Sequence, residues 1–198
     1  PNMISVAQNK YPDLRFAVAD ISKDPLNTSE YGLCVALDDV LNCLPDEISL
    51  RSAIINIASS LTAGGYFLFD LVSLSSFKNY MGSVDFRKYE DACVLSYPLS
   101  SLYNTGRDPF VLGFSILTFD GRAATWNKND YTASERFYPK EDVEAILLKA
   151  GLSIAAKRDL VQGELVAPDS TSASCIQKHL YLCRKEATND DRRAGQKA

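Results

Sequence analysis

Three short apolar runs, each finishing on acidic residues, constrain this 198-residue chain more than any other feature. Residues 15–21 read Arg-Phe-Ala-Val-Ala-Asp-Ile, with Asp20 at the end of the run. Residues 31–39 read Tyr-Gly-Leu-Cys-Val-Ala-Leu-Asp-Asp and finish on Asp38 and Asp39. Residues 64–72 read Gly-Gly-Tyr-Phe-Leu-Phe-Asp-Leu-Val, with Asp70 near the end. Runs of this length, apolar on both faces and separated by loop or helix, are the pattern of buried parallel strands. In open α/β sheets ligands bind outside the carboxyl ends of the strands, so a row of carboxylates there predicts the edge of a pocket.

The segments between and after the runs supply the rest of an α/β domain. From Asp46, the residues Leu50, Ala53, Ile54, Ile57, Ala58 and Leu61 recur at helical spacing, which predicts a helix with one buried face. Gly64 and Gly65 then read as its left-handed C-cap. A second helix is expected from Pro139, a residue suited to a first turn, with Val143, Ile146, Leu147 and Ala150 buried and Gly151 as the stop. Residues 2–10 predict a helix with Met3 and Ala7 on its buried side, ended at Tyr11-Pro12. Residues 22–29 are polar and predict a loop.

Between Ser73 and Phe137 aromatic and β-branched residues alternate with polar ones. Asp120-Gly121 separates two such runs, a strong hairpin signal. Residues 86–137 are therefore expected to form a small antiparallel sheet, an insert at about 73–137 in a single domain spanning 1–185. Residues 153–160 and 178–184 predict two final strands. The polar segment 186–198 predicts a disordered tail.

Composition narrows the function classes. At 46% hydrophobic and 23% charged residues the chain is ordinary for a globular domain, and a formal charge of −4 argues against a nucleic-acid surface. No apolar run approaches the ~20 residues that span a bilayer, and no signal peptide is visible. The five cysteines (Cys34, Cys43, Cys93, Cys175 and Cys183) are scattered, with no Cys-x-x-Cys, which points to a reducing cytoplasm.

Taken together, Asp20-Ile21 after a strand, Ala36-Leu-Asp-Asp-Val-Leu-Asn-Cys-Leu44 and Leu61-Thr-Ala-Gly-Gly-Tyr-Phe-Leu-Phe-Asp70 resemble the motifs of the Rossmann-like S-adenosylmethionine-dependent methyltransferases, in their small-molecule branch. Glu135-Arg-Phe-Tyr-Pro-Lys-Glu-Asp-Val and Lys149-Ala-Gly-Leu extend the likeness, which covers about residues 1–185. Ala63 replaces the usual proline before the glycine pair. The resemblance also implies a glycine-rich first loop, with its strand and helix, for which this sequence has no Gly-x-Gly-x-x-Gly after a strand. The sequence is thus expected to start partway into such a domain, and residues 1–198 alone to fold poorly and bind cofactor weakly. A degenerate, non-catalytic protein is the other reading.

The resemblance implies S-adenosylmethionine as cofactor and no metal. It places Asp20 and Ile21 at the adenine, Leu37 and Asp38 at the methionine ammonium, and Leu41 or Asn42 near the transferred methyl. Asp70 would face the acceptor, and Tyr103, Trp126, Arg136 and Tyr138 would wall the acceptor site from the inserted sheet. Each has a structural alternative: Asp20 as the cap of the next turn, Asp38 or Asp39 as the cap of a short turn over 40–42, and the aromatics as core. His179, the only histidine, reads as a structural strand residue. The expected activity is methyl transfer to an amine or hydroxyl of a small molecule, by a monomer or homodimer, with a non-catalytic binding module as the alternative. Such a displacement needs alignment more than a catalytic group, and no residue declares itself as a base. A nicotinamide-dependent reductase would need the glycine-rich loop, and the one Tyr-x-x-x-Lys, from Tyr181 to Lys185, falls on a terminal strand.

Overall fold

The computed structural model describes residues 2–26, 30–80, 83–100, 108–168 and 170–187. Two sheets and four helices account for most of them. The larger sheet holds β1 (Tyr31–Ala36), β2 (Leu61–Val72), β9 (Lys178–Lys185), β7 (Leu152–Val161) and β8 (Glu164–Val166), side by side in that order. Only β1 and β2 run parallel; β9 is antiparallel to both β2 and β7. The smaller sheet is an antiparallel meander of β3 (Asp85–Lys88), β4 (Ala92–Pro98), β5 (Phe110–Asp120) and β6 (Thr125–Glu135).

Helix α2 (Glu47–Ser60) starts where the sequence predicts, because the Asp46 carboxylate accepts the Ser49 backbone N–H at 2.7 Å. Its buried stripe of Leu50, Ala53, Ile54, Ile57 and Ala58 joins Val143, Ile146 and Leu147 of α4 (Lys140–Lys149) against one face of the larger sheet. On that face Phe67 stacks on Phe69 at 4.7 Å, and Phe69 on its cross-strand partner Tyr181 at 5.0 Å. Gly151, at φ 76°, stops α4.

Several expectations need correction. Residues 15–20 form no regular element and pair with no strand among the described residues, and β1 is the edge of the sheet. A strand exists only through its ladder, and nothing described lies beside this segment to complete one. Gly64 and Gly65 are not a C-cap either. Helix α2 ends at Ser60, and Leu61, fully buried, turns directly into β2 in an extended conformation. The glycines instead absorb a register slip within β2, between the pairs Tyr31↔Leu61 and Leu33↔Tyr66. Gly64 sits at φ 78°, and a Cβ on Gly65 would stand 3.0 Å from the Tyr31 carbonyl oxygen. Helix α1 (Asn2–Lys10) forms, but it buries none of its residues and Met3 is exposed. Pro139 is the residue before α4 rather than part of its first turn.

The hairpin at Asp120 is present with a longer loop than Asp-Gly alone implies. Asp120 pairs with Thr125, and its carboxylate accepts the N–H groups of Arg122 and Ala123. No periodic signal marks α3 (Leu74–Tyr80), which is too short for one. Phe77 of α3 stacks on Phe110 of β5 at 4.4 Å, and with Val72 they form a small second core that fixes the smaller sheet to the end of β2. Of the expected disordered tail, Glu186 is held by its N–H donating to the Gly151 carbonyl at 3.0 Å, whereas residues 188–198 and part of the 22–29 loop lie outside the described residues.

Candidate functional site

The carboxyl ends of β1 and β2 meet at a turn with unusual backbone geometry. Asp38 and Asp39 both adopt left-handed conformations, at φ 65° and 67°. For residues with a side chain this costs roughly 1–2 kcal/mol each, and aspartate is among the few that tolerate it. The fold offsets the cost with one carboxylate. Asp70, buried at the end of β2, accepts the Asp38 N–H on one oxygen at 3.1 Å and the Asp39 N–H on the other at 3.0 Å.

Lys178, the first residue of β9, supplies the countercharge. Its Nζ lies 2.7 Å from Asp39 Oδ1, 3.2 Å from Asp38 Oδ1 and 3.3 Å from Asp70 Oδ2. Burial works against the lysine charge, but the hydrogen bond and charge of Asp39, then the charges of Asp70 and Asp38, outweigh it and raise its pKa. Asp39 is shifted upward, first by burial and then by Asp70 and Asp38, with Lys178 opposing. Glu135, the last residue of β6, joins the group: burial and the nearby Asp39 charge raise its pKa, and Lys178 opposes. Three carboxylates thus surround one ammonium, and Glu135 stands near enough for its charge to interact with Asp39 and Lys178.

Asn42 holds the cluster together without facing it. Fully buried, it donates from Nδ2 to the Arg136 carbonyl at 2.8 Å, accepts the Val72 N–H on Oδ1 at 3.0 Å, and accepts the Arg136 N–H on its own carbonyl at 2.7 Å. These bonds tie the turn after β1, the end of β2 and the end of β6 into one unit, which keeps Glu135 within range of the Asp39 charge. Leu41 beside it is likewise fully buried and packs in the main core. Leu37 is exposed at the strand end.

Asp20 and Ile21 lie on the far side of β1. The Asp20 carboxylate accepts the Ser22 N–H at 3.0 Å and the Ser22 hydroxyl at 2.7 Å, and pairs with Lys23 at 2.8 Å. Lys23 and Ser22 together hold its pKa down at about 2. In this structure the carboxylate caps its own turn. Ile21 is anchored to α2 through its carbonyl, which accepts Asn56 Nδ2 at 2.9 Å, and it lines an apolar cavity of about 280 Å³ with Leu26, Leu33, Val35 and Val40.

The expected acceptor wall does not assemble as one surface. Tyr138 is buried, donates its hydroxyl to the Leu44 carbonyl at 2.8 Å, and has its pKa pushed up by burial to about 12. Arg136 donates from Nε to the Pro45 carbonyl at 2.8 Å. Trp126 is exposed at the opposite end of β6, against Phe119. At ~3.4 Å per residue it stands roughly 30 Å along the strand from Glu135. Tyr103 lies outside the described residues. Of the expected site residues, the structure gathers Asp38 and Asp70 at the cluster, with Leu37 and Asn42 adjoining it. The residues that sequence reasoning missed are Asp39, Glu135 and Lys178. The Asp38-Asp39 pair and the Glu135-Arg-Phe-Tyr-Pro motif hinted at two of these; Lys178 is 140 positions from Asp38 and carries no local signal. Among the described residues no group of His, Cys, Asp and Glu is arranged to hold a metal ion.

Compared as a sequence, the chain matches no protein-family model and no curated protein. Its structure does match. An S-adenosylmethionine-dependent methyltransferase from Clostridium acetobutylicum superposes with a TM-score of 0.76 at 22% identity, covering 94% of this chain and 72% of that one. The fold is a methyltransferase fold. The sugar N-methyltransferase KedS8 from Streptoalloteichus gives 0.69 at 19% identity, covering 94% of this chain and 68% of its own. CalS10, an amino pentose methyltransferase from Micromonospora echinaspora solved with S-adenosylmethionine bound, gives 0.64 at 16%, covering 93% and 70%. At these identities the likeness is one of fold, and it agrees with the topology and the inserted antiparallel sheet described above. No described helix is long and apolar enough to cross a membrane.

Proposed function

We propose that this chain is an S-adenosylmethionine-dependent methyltransferase that acts on an amine or hydroxyl of a small molecule at the carboxyl ends of β1 and β2 and the start of β9. The observation that carries the proposal is the turn held by Asp70, which gathers an excess of carboxylate over ammonium at the strand ends of a methyltransferase fold. When bound, the cofactor supplies an electrophilic methyl group on a positively charged sulfonium. The residues present fit its charge and shape: the carboxylates attract cationic groups, and the apolar cavity at Ile21 suits a flat ring.

On this reading Ile21 borders the adenine, and Asp20 reaches it only by giving up Lys23. The Leu37 carbonyl and Asp38 receive the methionine ammonium. Leu41 acts from beneath, as packing that sets the height of the turn. Asp70 keeps both left-handed residues in place, and Asn42 keeps Glu135 near them. An amine is nucleophilic only when neutral, and Glu135, half-buried with a raised pKa, is the group suited to take its proton. Alignment of the acceptor with the methyl supplies the rest of the acceleration. Two of the similar structures are a sugar N-methyltransferase and an amino pentose methyltransferase, which supports a small amine-bearing acceptor. All five cysteines are free thiols, in keeping with a cytoplasmic setting.

Calorimetric titration of the full-length protein with S-adenosylmethionine tests the proposal. Micromolar binding is expected, weakened about tenfold or more in Asp70→Asn, which leaves one of the two turn N–H groups facing an amide donor. Absence of binding by the unaltered protein would refute the cofactor assignment. Unchanged affinity in Asp20→Ala would remove Asp20 alone from the site.

A further inference from the structure

The opposite face of the larger sheet carries a second polar group that methyl transfer does not use. Leu71 pairs with His179 and Val72 with Lys178, so His179 points away from the face that holds Lys178 and Asp70. His179 is only 7% exposed, and its Nδ1 lies 2.7 Å from Oδ1 of Asp159, which is 2% exposed. Nε2, on the other edge of the ring, has no hydrogen-bond partner among the described residues. That ring borders a cavity of about 640 Å³ between α3, the start of α4 and the short 3-10 turn Ala173–Cys175.

The walls of this cavity are chemically divided. Leu74, Phe137, Pro139 and Ile176 give it an apolar side. Lys78 of α3 and Lys140 of α4 bring two ammonium groups, and Ser75 and Ser174 add hydroxyls. Pro139, Lys140 and Glu141 bring the start of α4 to the same rim, and Pro139 provides no side-chain cap for the first-turn N–H groups. Glu141 is the one carboxylate in the lining. A buried imidazole edge, two lysines and an uncapped helix start beside an apolar wall form a site for an oxyanion on an apolar body.

We propose that this cavity is a second ligand site, taking a small organic anion whose carboxylate or phosphate head meets Lys78, Lys140 and His179 and whose body packs on Phe137, Pro139 and Ile176. Asp159 fixes the ring by accepting the Nδ1 proton, which leaves Nε2 to accept from the hydroxyl of a hydrogen phosphate. With a fully ionised head, Nε2 takes up a proton and donates, and Asp159 balances the imidazolium charge. The charged groups that face the ring are Asp159 and Lys157 from β7, Lys140 and Glu141 from α4, and Lys78 from α3. The site does not depend on the methyltransferase assignment, because no residue of the carboxylate cluster lines it.

His179 is the only histidine of these 198 residues, and a His179→Gln variant identifies its ring resonances in the full-length protein. The test is NMR titration of the full-length protein with phenyl phosphate, benzoate and inorganic phosphate. Phenyl phosphate or benzoate should shift the His179 ring signals in a saturable way with a Kd of about 1 mM or tighter, and raise the pH at which the ring titrates. Inorganic phosphate, which lacks the apolar body, should bind more weakly, and the stronger aromatic anion identifies the head group. Combining Lys78→Ala with Lys140→Ala should weaken binding by about tenfold with thermal stability retained. No saturable shift with either aromatic anion up to roughly 10 mM, or an unchanged Kd in the double variant, would overturn the proposal.

Discussion

In the larger sheet Phe67, Phe69 and Tyr181 stack at the centre with no exposed surface, closed in by α2 and α4. In the smaller sheet every residue of β6 up to Ser134 is exposed, although β6 makes an unbroken ladder with β5. The first sheet is held by burial and the second largely by strand pairing. The consequence for function is positional. Only the base of the smaller sheet, where Phe110 packs on Phe77 and Glu135 feels the Asp39 charge, is fixed firmly enough to belong to the site. The hairpin tip with Trp126 is an exposed ribbon some 30 Å away by strand rise.

That contrast can be broken most directly at Phe69. Phe69→Ala removes the middle ring of the stack and should destabilise the protein by about 3–5 kcal/mol, read as a large fall in Tm or in denaturant midpoint. A loss under about 1 kcal/mol would mean that burial does not hold the larger sheet. At the junction of the two sheets, Asn42→Ala leaves the Val72 N–H and Arg136 carbonyl without their partner, at an expected cost of about 1–3 kcal/mol. The same variant should lower any methyl-transfer activity further than its stability loss explains, because Glu135 loses its tether.

Glu135 itself separates charge from packing. Its pKa is raised in the fold, so the native state holds that proton more tightly than the unfolded chain does. The resulting contribution favours folding at low pH and is lost as pH rises through the folded pKa. Glu135→Gln should therefore be more stable than the parent at pH 7, by less than about 1 kcal/mol, with the difference vanishing near pH 4. A difference of equal size at both pH values would point to packing instead. The smallest effect belongs to the hairpin tip. Trp126→Ala should change stability by no more than about 1 kcal/mol and leave cofactor affinity unchanged. A tenfold loss of affinity would bring the tip into the site.

The elements most legible in the sequence were those whose cause is local. The Asp46 cap, the stripe from Leu50 to Ala58, the Gly151 stop and the Asp120 hairpin each rest on residues within a turn or two of one another. Residues 15–20 show the limit of such evidence. Their composition is that of a strand, but composition cannot supply a neighbour, and the described structure has none there. Gly64-Gly65 reads locally as a helix C-cap, and the buried position of Leu61 and the slipped pairing with β1 put it inside β2 instead.

By itself the sequence determined that carboxylates stand at the ends of apolar runs, two of which become β1 and β2, and hence where a site should lie. Only the tertiary structure decided what each of them does. Asp20 caps its own turn through its immediate neighbours, whereas Asp70 reaches back 32 positions to hold Asp38 in a left-handed turn. Asn42 and Tyr138, which sequence motifs present as ligand contacts, spend their polar atoms on carbonyl and amide groups brought close by packing. Lys178 enters the cluster because β9 lies antiparallel to β2, a pairing that no local pattern encodes. Residue type and spacing set the chemistry on offer at a strand end; the distances across the sheet, set by burial of the Phe67–Phe69–Tyr181 stack, select which of those groups meet.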